Sequence, residues 1–280
     1  MGLKVFLKKN TSQNQHRIQK SRFKMNTIGK IIAALTISAF VATPAWSAEK
    51  RPSFVNYDFY PFGHQKDGNV SGLFADLMGE IEKLSGIEVS KILEPIPRAL
   101  QSMSRGKFDL ILSGTSSPAL KDTISLGILS CHRTNLVTHK KANITSLNDL
   151  KGKHIGFIAS GFLFKKFGDK HGVVSMETGT SESMFLMLVR NRVGGIYISD
   201  IVFDSYRAEG LPFTRVPKDW REQIGPIIEA EVLPVQLRMH KQSEFLHLAP
   251  DLSKAITQGK INSAFEKVYQ KYGSTTGGHC

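Results

Sequence analysis

Cysteine is scarce in this chain of 280 residues: there are two, Cys131 in mid-chain and Cys280 at the last position. No CxxC pair and no Cys/His ligand spacing supports zinc. Sequence alone does not pair the two, and the reading it favours is a free buried thiol at Cys131. Also missing are a Ser/His/Asp order, a GxSxG elbow, a Walker loop and any metal-ligand spacing. His64, His132, His139, His154 and His171 are scattered and form no cluster. No internal repeat or low-complexity linker interrupts the chain. A long apolar run is lacking as well: Ile31 to Ala42 (IIAALTISAFVA) has the length of a signal-peptide core and is too short for a membrane span. Acidic residues are absent from the first 48 positions, which hold eight Lys and Arg. The formal charge of +13 therefore falls to 29 basic against 24 acidic residues once those positions are set aside. That balance is ordinary for a soluble protein. With no basic helix interleaved with aromatics, nucleic acid is not the expected partner.

The basic leader reads as an export signal. Lys30 precedes the apolar run, and Ala45 and Ser47 are the small residues of a cleavage point after Ser47, since cleavage after Ala48 would place bulky Trp46 at the minus-three position. Met25 is an alternative start, because 25–48 alone has the length of a normal signal. An uncleaved N-terminal anchor is the blander alternative. The expected organisation is a leader over 1–48, a first lobe over 49–131, a second over 132–234, and a return to the first over 235–280.

What the remainder does contain is alternation. SFVNYDFYPF after Pro52 reads as a strand entering a loop. From Gly72, Leu73, Phe74, Leu77, Met78, Ile81 and Leu84 follow three- and four-residue spacing, with Ser71 able to cap the start and Gly86 to close the end. Ile87 to Leu93 reads as a strand, Pro97 opens a short helix, and Phe108 to Leu112 is a buried strand. The order strand, helix, strand, helix, strand argues for a parallel α/β layer. A second run follows: strands at Asn135–Thr138, His154–Ile158, Gly195–Ser199 and Val232–Met239, a helical turn from Ser146, helices at Phe162–Phe167 and Ser181–Arg190, and a C-terminal apolar stripe broken by Gly259. The buried strand in GKFDLILSGTSSPALKD ends abruptly in Ser113, Gly114, Thr115 and Ser116. Such a tip presents hydroxyls and free amides to one point, with the glycine permitting close approach.

Several stretches, in order, resemble one family. YPFG at Tyr60, GLFADLMGEIEKLSG, GKFDLILSG, SLNDLKGKHIGFIASG (Ser146 to Gly161), NRVGGIYIS and VLPVQLRMHKQ are similar to successive motifs of the bacterial extracellular solute-binding proteins of family 3, the polar-amino-acid group that serves ABC transporters. The resemblance implies the periplasmic binding protein-like type II fold: two α/β lobes joined by two crossover strands, with a ligand cleft between them. It also implies capture of a small polar or zwitterionic solute, amino-acid-like or a carboxylate, by lobe closure in the periplasm. The captured solute passes to an ABC transporter permease, with no cofactor, by a monomer that is not an enzyme. Two alternatives share the fold: a ligand-presenting protein for a membrane sensor, and a secreted cyclohexadienyl dehydratase, for which Asp200 and Glu182 are candidate acids.

The family's amino-acid binders hold the α-carboxylate with an arginine in a TPER-like turn, by bidentate hydrogen bonds. Here the turn reads SSPALKD; gap-free matching puts Lys121 at that place, and anchoring on Pro118 puts Leu120 there. Lysine supplies charge but not the fork. The ammonium partner, normally an aspartate ending the GRVDAxxxD strand, falls on Ser199, with Asp200 one residue on. Asn56 stands where many members carry an acid, and the second-lobe hydroxyl loop reads Ser160, Gly161, Phe162. Phe59 and Tyr60 are candidate aromatic contacts beside the first loop, and Arg98 a candidate anion contact. These departures weaken the α-amino-acid assignment.

Overall fold

The computed structural model describes residues 50–114, 117–158, 162–209, 214–274 and Cys280, with 162–164 and 208–209 given by their backbone alone. The expected leader and its cleavage point lie outside these residues. Strands and helices alternate as β1 (Ser53–Tyr57), β2 (His64–Lys66), β3 (Asn69–Ser71), α1 (Leu73–Ser85), β4 (Ser90–Glu94), α2 (Ile96–Ser104), β5 (Leu110–Ser113) and β6 (Thr123–His139). They continue as β7 (His154–Ile158), α3 (Phe162–His171), β8 (Val174–Thr178), α4 (Ser181–Val189), β9 (Gly195–Ser199), α5 (Asp200–Glu209), β10 (Ile224–His240), α6 (Ala249–Ile261) and α7 (Ala264–Lys271).

β1 pairs in parallel with β4 on one side and β5 on the other, so α1 and α2 are the crossover helices that parallel pairing demands. The second half repeats the device, with β7 parallel to both β8 and β9. Between them run β6 and β10, 17 residues each and antiparallel to one another. Gln236 to Met239 of β10 pair with β5, while Thr134 to Thr138 of β6 pair with β9. One sheet of order β4-β1-β5-β10-β6-β9-β7-β8 results, and among the described residues the two long strands join its halves. The lobe limits expected at 131/132 and 234/235 fall on facing residues of that pair, Cys131 opposite Pro234.

The apolar pattern explains why these elements hold. Leu73, Phe74, Leu77, Met78 and Ile81 of α1 are all buried, each contributing about 1.5–3 kcal/mol. The helix ends where Gly86 turns left-handed at φ 73° and its N–H bonds Glu82 O at 2.8 Å. Its start is made differently from the expectation. Ser71 does not cap it; Gly72 is the N-cap, at φ 119°, and a Cβ there would stand 2.8 Å from the Pro61 and Phe62 carbonyl oxygens. Leu110, Ile111 and Leu112 of β5 are completely buried, as a run covered on both faces should be. Ser146 and Asp149 form a capping box over the short 3-10 turn Leu147–Leu150.

Three expectations need correction. Cys131 is not a free thiol: it is bonded to Cys280, with Cα atoms 5.0 Å apart. The two isolated short strands, Asn135–Thr138 and Val232–Met239, are the ends of the 17-residue β6 and β10. Gly259 does not break the C-terminal helix; α6 runs through it to Ile261, and the missing side chain leaves room for the ring of Phe265, 2.5 Å from where a Cβ would be. The chain turns after that, at Ser263 with φ 52°. No helix among the described residues is long and apolar enough to cross a membrane.

Candidate functional site

The C-terminal ends of the parallel strands β1, β5, β7 and β9 all point at one seam, the place where open α/β sheets bind ligands. A cavity of about 230 Å³ opens there. The first half supplies Tyr57 at the end of β1, Phe59 and Phe62 from the loop that follows, Ser113 and Gly114 at the end of β5, and Ile96 and Leu100 of α2. Phe157 and Ile158 at the end of β7, Tyr197 to Ser199 at the end of β9, Met184 and Val202 close the opposite wall. His132 and Thr134 of β6 and Leu233 of β10 form the floor, which is the crossover pair itself. Two residues apart on one strand, His132 and Thr134 face the same side.

Aromatic rings dominate the first wall. Phe59 stacks on Phe62 at 6.0 Å between ring centroids, and Phe62 and Phe74 pack around the imidazole of His132 at 5.3 and 5.9 Å. Burial holds His132 down to a pKa of about 3, so it is neutral at physiological pH. Its Nε2 lies 2.7 Å from the Tyr269 hydroxyl of α7, which also bonds Ser130 Oγ. Burial pushes the Tyr57 phenol up to about 12, and Ser113 is its hydrogen-bond partner. Across the seam, burial followed by a hydrogen bond to Glu231 raises the pKa of Tyr197, whose hydroxyl donates to Glu231 Oε2 at 2.6 Å. Tyr57, His132 and Tyr197, the titratable groups among the described lining residues, are thus held in their uncharged forms.

Residues 54–275 match the family model of the bacterial extracellular solute-binding proteins, family 3. The chain belongs to that family. The arginine-binding extracellular protein ArtP of Bacillus subtilis (strain 168) is 23% identical over 220 residues, which cover 77% of this chain and 82% of that one. Among solved structures, an ancestral arginine-binding protein bound to arginine is 21% identical with a TM-score of 0.60, over 79% of this chain and 96% of that one. The GluR0 ligand-binding core in complex with L-glutamate reaches a TM-score of 0.65 at 11% identity, over 80% of this chain and 99% of that one. The fold is that of the type II periplasmic binding proteins, as the resemblance implied.

Within this family fold, the residues singled out from sequence divide. Phe59, Ser113, Gly114 and Ser199 line the cavity. Among the described residues, a Cβ on Gly114 would meet nothing closer than 3.9 Å, so their packing does not demand glycine there. Asn56 is buried but turned inward: its Oδ1 accepts from Tyr57 N at 2.8 Å and its Nδ2 donates to Phe62 O, fixing the first loop. Tyr60 packs against His64 at 5.5 Å and does not line the cavity. Arg98 and Lys121 are exposed and stand outside the lining. Asp200 is buried at the first turn of α5, where its carboxylate accepts from Ile201 N at 2.7 Å and from Ser199 Oγ at 3.3 Å, capping its own helix. Thr115, Ser116, Ser160 and Gly161 lie outside the described residues, as does the side chain of Phe162. Glu182, the other candidate acid, is engaged away from the cavity by Arg215, whose Nη2 lies 2.6 Å from Oε2.

Sequence reading passed over His132, Thr134, Phe157, Tyr197 and Leu233. His132 and Thr134 belong to the unrecognised half of β6, where Ser125, Gly127, Ser130 and Arg133 erase the apolar alternation. The same two-residue spacing, read across SCHRT, would have placed both on one face.

Proposed function

We propose that this protein is an extracytoplasmic solute-binding protein that captures a small molecule between its two halves by closure about β6 and β10, and delivers it to an ABC transporter. One observation carries the reading: strand ends from both halves, Ser113 and Gly114 on one side and Ser199 on the other, meet on a single cavity floored by β6 and β10, the two strands that join the halves among the described residues. A solute touching both walls favours the arrangement in which they approach, and so shifts the equilibrium between open and closed forms. Membership of the family and the basic leader before Ile31 support export to the periplasm and hand-over to a permease. The names of the relatives point to amino acids, and the neutral lining counsels against a cationic one such as arginine. The candidate acids Asp200 and Glu182 are both spent on structural bonds, so binding without a chemical step is the reading they favour.

A thermal-shift screen of the purified protein over amino acids, amines, carboxylates, alcohols and small peptides tests this, because a ligand selective for the folded form raises Tm by mass action. A hit is expected to reduce the radius of gyration in small-angle scattering. Saturable binding with no change of the molecule's dimensions, and unaltered by substitutions at Ser113 and Ser199, would remove the capture mechanism.

A further inference from the structure

We propose that the two halves hinge at one rung of the sheet, Arg133 opposite Val232, and that the Cys131–Cys280 bridge confines bending to that rung, so that breaking the bridge widens the swing. The inference rests on the capture reading and deepens it by naming what regulates closure.

Which half holds each residue of the crossover pair follows from its bonds. In β10, Gln236 to Met239 are paired to β5 of the first half. In β6, Ser130 and His132 bond the Tyr269 hydroxyl, and α7, which carries it, packs on α1 and α6. α6 itself lies against β6, with Ile256 Cγ2 3.0 Å from where a Cβ on Gly127 would be. Residues 130–132 and the residues opposite them, Leu233, Pro234 and Val235, therefore travel with the first half. From the other side, Thr134 to Thr138 are paired to β9, and Tyr197 of β9 bonds Glu231, which stands opposite Thr134. One rung is left between the two sets.

Among the described residues, neither Arg133 nor Val232 is paired to β5 or β9. Both face away from the cavity, because His132 and Thr134, their neighbours in the ladder, face into it. Val232 is 43% exposed, and Arg133 Nε meets Glu229 Oε2 at 2.9 Å in an ion pair open to solvent, which resists bending weakly. Beside the rung β10 bulges: its register shifts between Glu229 and Glu231, and bulges are where paired strands bend.

The adjoining rung on the first half's side is Cys131 opposite Pro234. Proline has no N–H to give the ladder, so the backbone there is the next place to yield. A covalent bond from Cys131 to Cys280 holds it instead. Cys131 faces the same way as Arg133, so the bridge braces the back of the hinge while Tyr269 grips the other face. With the bridge cut, bending spreads from one rung to two. A dithiol cuts it by exchange: one thiolate bonds a cysteine sulfur, the other cysteine leaves as a thiolate and takes a proton, and the second thiol closes on the first, so that the protein gains two thiols and the reagent becomes a cyclic disulfide.

Distances between gadolinium labels carried on ketone-bearing residues, measured by double electron–electron resonance on the purified protein, test this. One pair spans the halves, at the exposed positions Lys254 of α6 and Lys166 of α3; a control pair, Lys254 and Gln101 of α2, lies within the first half. The spanning distribution is expected to be at least twofold wider in Cys280→Ser, and in wild type treated with dithiothreitol, than in untreated wild type. Arg133→Gly with Val232→Gly, which loosens the rung itself, should also widen it with the bridge intact, and the control pair should keep its width throughout. Widening in the control pair as well shows general loosening and overturns the inference. So does a spanning distribution that the glycine variant widens and bridge loss leaves alone, or the reverse; either result leaves capture standing. One narrow spanning distance in every form shows halves that do not swing, and removes capture along with the inference.

Discussion

Removal of the Cys131–Cys280 bridge should lower stability by several kcal/mol, and the structure sets the scale. The two cysteines are 149 residues apart in sequence, so the closed loop takes in the whole second half, β10 and the C-terminal helices. The chain-entropy relation for a loop of that length gives about 5 kcal/mol as an upper figure, and losses of native bridges generally fall at about 2–5 kcal/mol. For a folded unit of this size each kcal/mol moves Tm by about 2–4 °C, so a fall of roughly 4–20 °C is expected. The bridge also has a particular position. Ser130 and His132 on one face of β6 bond Tyr269 of α7, while Cys131, between them and pointing the other way, bonds the chain terminus. The C-terminal segment therefore grips the crossover strand from both faces, one residue from the cavity floor. Cys280→Ser is the clean perturbation, because Cys280 is exposed and the remaining Cys131 thiol is a small apolar group in a buried place. Scanning calorimetry of wild type, of wild type with reductant, and of Cys280→Ser should give one high and two matching low midpoints. If mass spectrometry finds the bridge intact in wild type and all three midpoints agree to within about 1 °C, the reasoning is refuted.

Other outcomes follow from the same geometry. His132 is buried neutral, with its folded pKa near 3 below an unfolded value near 6.5, so the unfolded chain binds more protons between those values; stability is full above pH 6.5 and falls by about 1.4 kcal/mol per pH unit below it. Urea melts from pH 7.5 to 5 should show a steeper loss of stability in wild type than in His132→Gln, where the lowered pKa of buried His139 leaves a residual slope. Gly259→Ala gains about 1 kcal/mol of helix propensity but drives a methyl into the Phe265 ring, an overlap that typically costs about 1–3 kcal/mol, so net destabilisation of up to about 2 kcal/mol is expected by chemical denaturation, and a raised midpoint would contradict the contact. Gly114→Ala meets no atom of the described residues closer than 3.9 Å and should change folding stability by less than about 0.5 kcal/mol, yet weaken whatever the seam binds; equal affinity in titration would show that the ligand sits elsewhere.

Periodicity along the chain was enough to find most elements, and to find them in the right order. Leu73 to Ile81 announced α1, Phe108 to Leu112 announced a buried strand, seen as β5 over Leu110–Ser113, and the ordered motifs from Tyr60 to Gln242 named the family. Those are local signals, carried by side chains that repeat every two or every three to four residues. β6 was legible only at its apolar end, because its other residues are polar yet paired with β10 along their length, and pairing partners a hundred residues away leave no mark on local composition.

The strand tips were likewise legible as a site, since Ser113, Gly114 and Ser199 end apolar runs in hydroxyls and bare backbone. Which nearby charges serve the cavity was not. Asp200 and Lys121 read alike as candidate contacts, until folding placed one carboxylate on its own helix start and left the lysine in solvent. The order of strands and helices, and hence the family, was settled by the sequence itself, because apolar spacing acts over a few residues. The bond between Cys131 and Cys280, the neutral floor at His132 and the uncharged character of the seam were decided only by tertiary structure, because each depends on groups distant in the chain meeting where water is excluded.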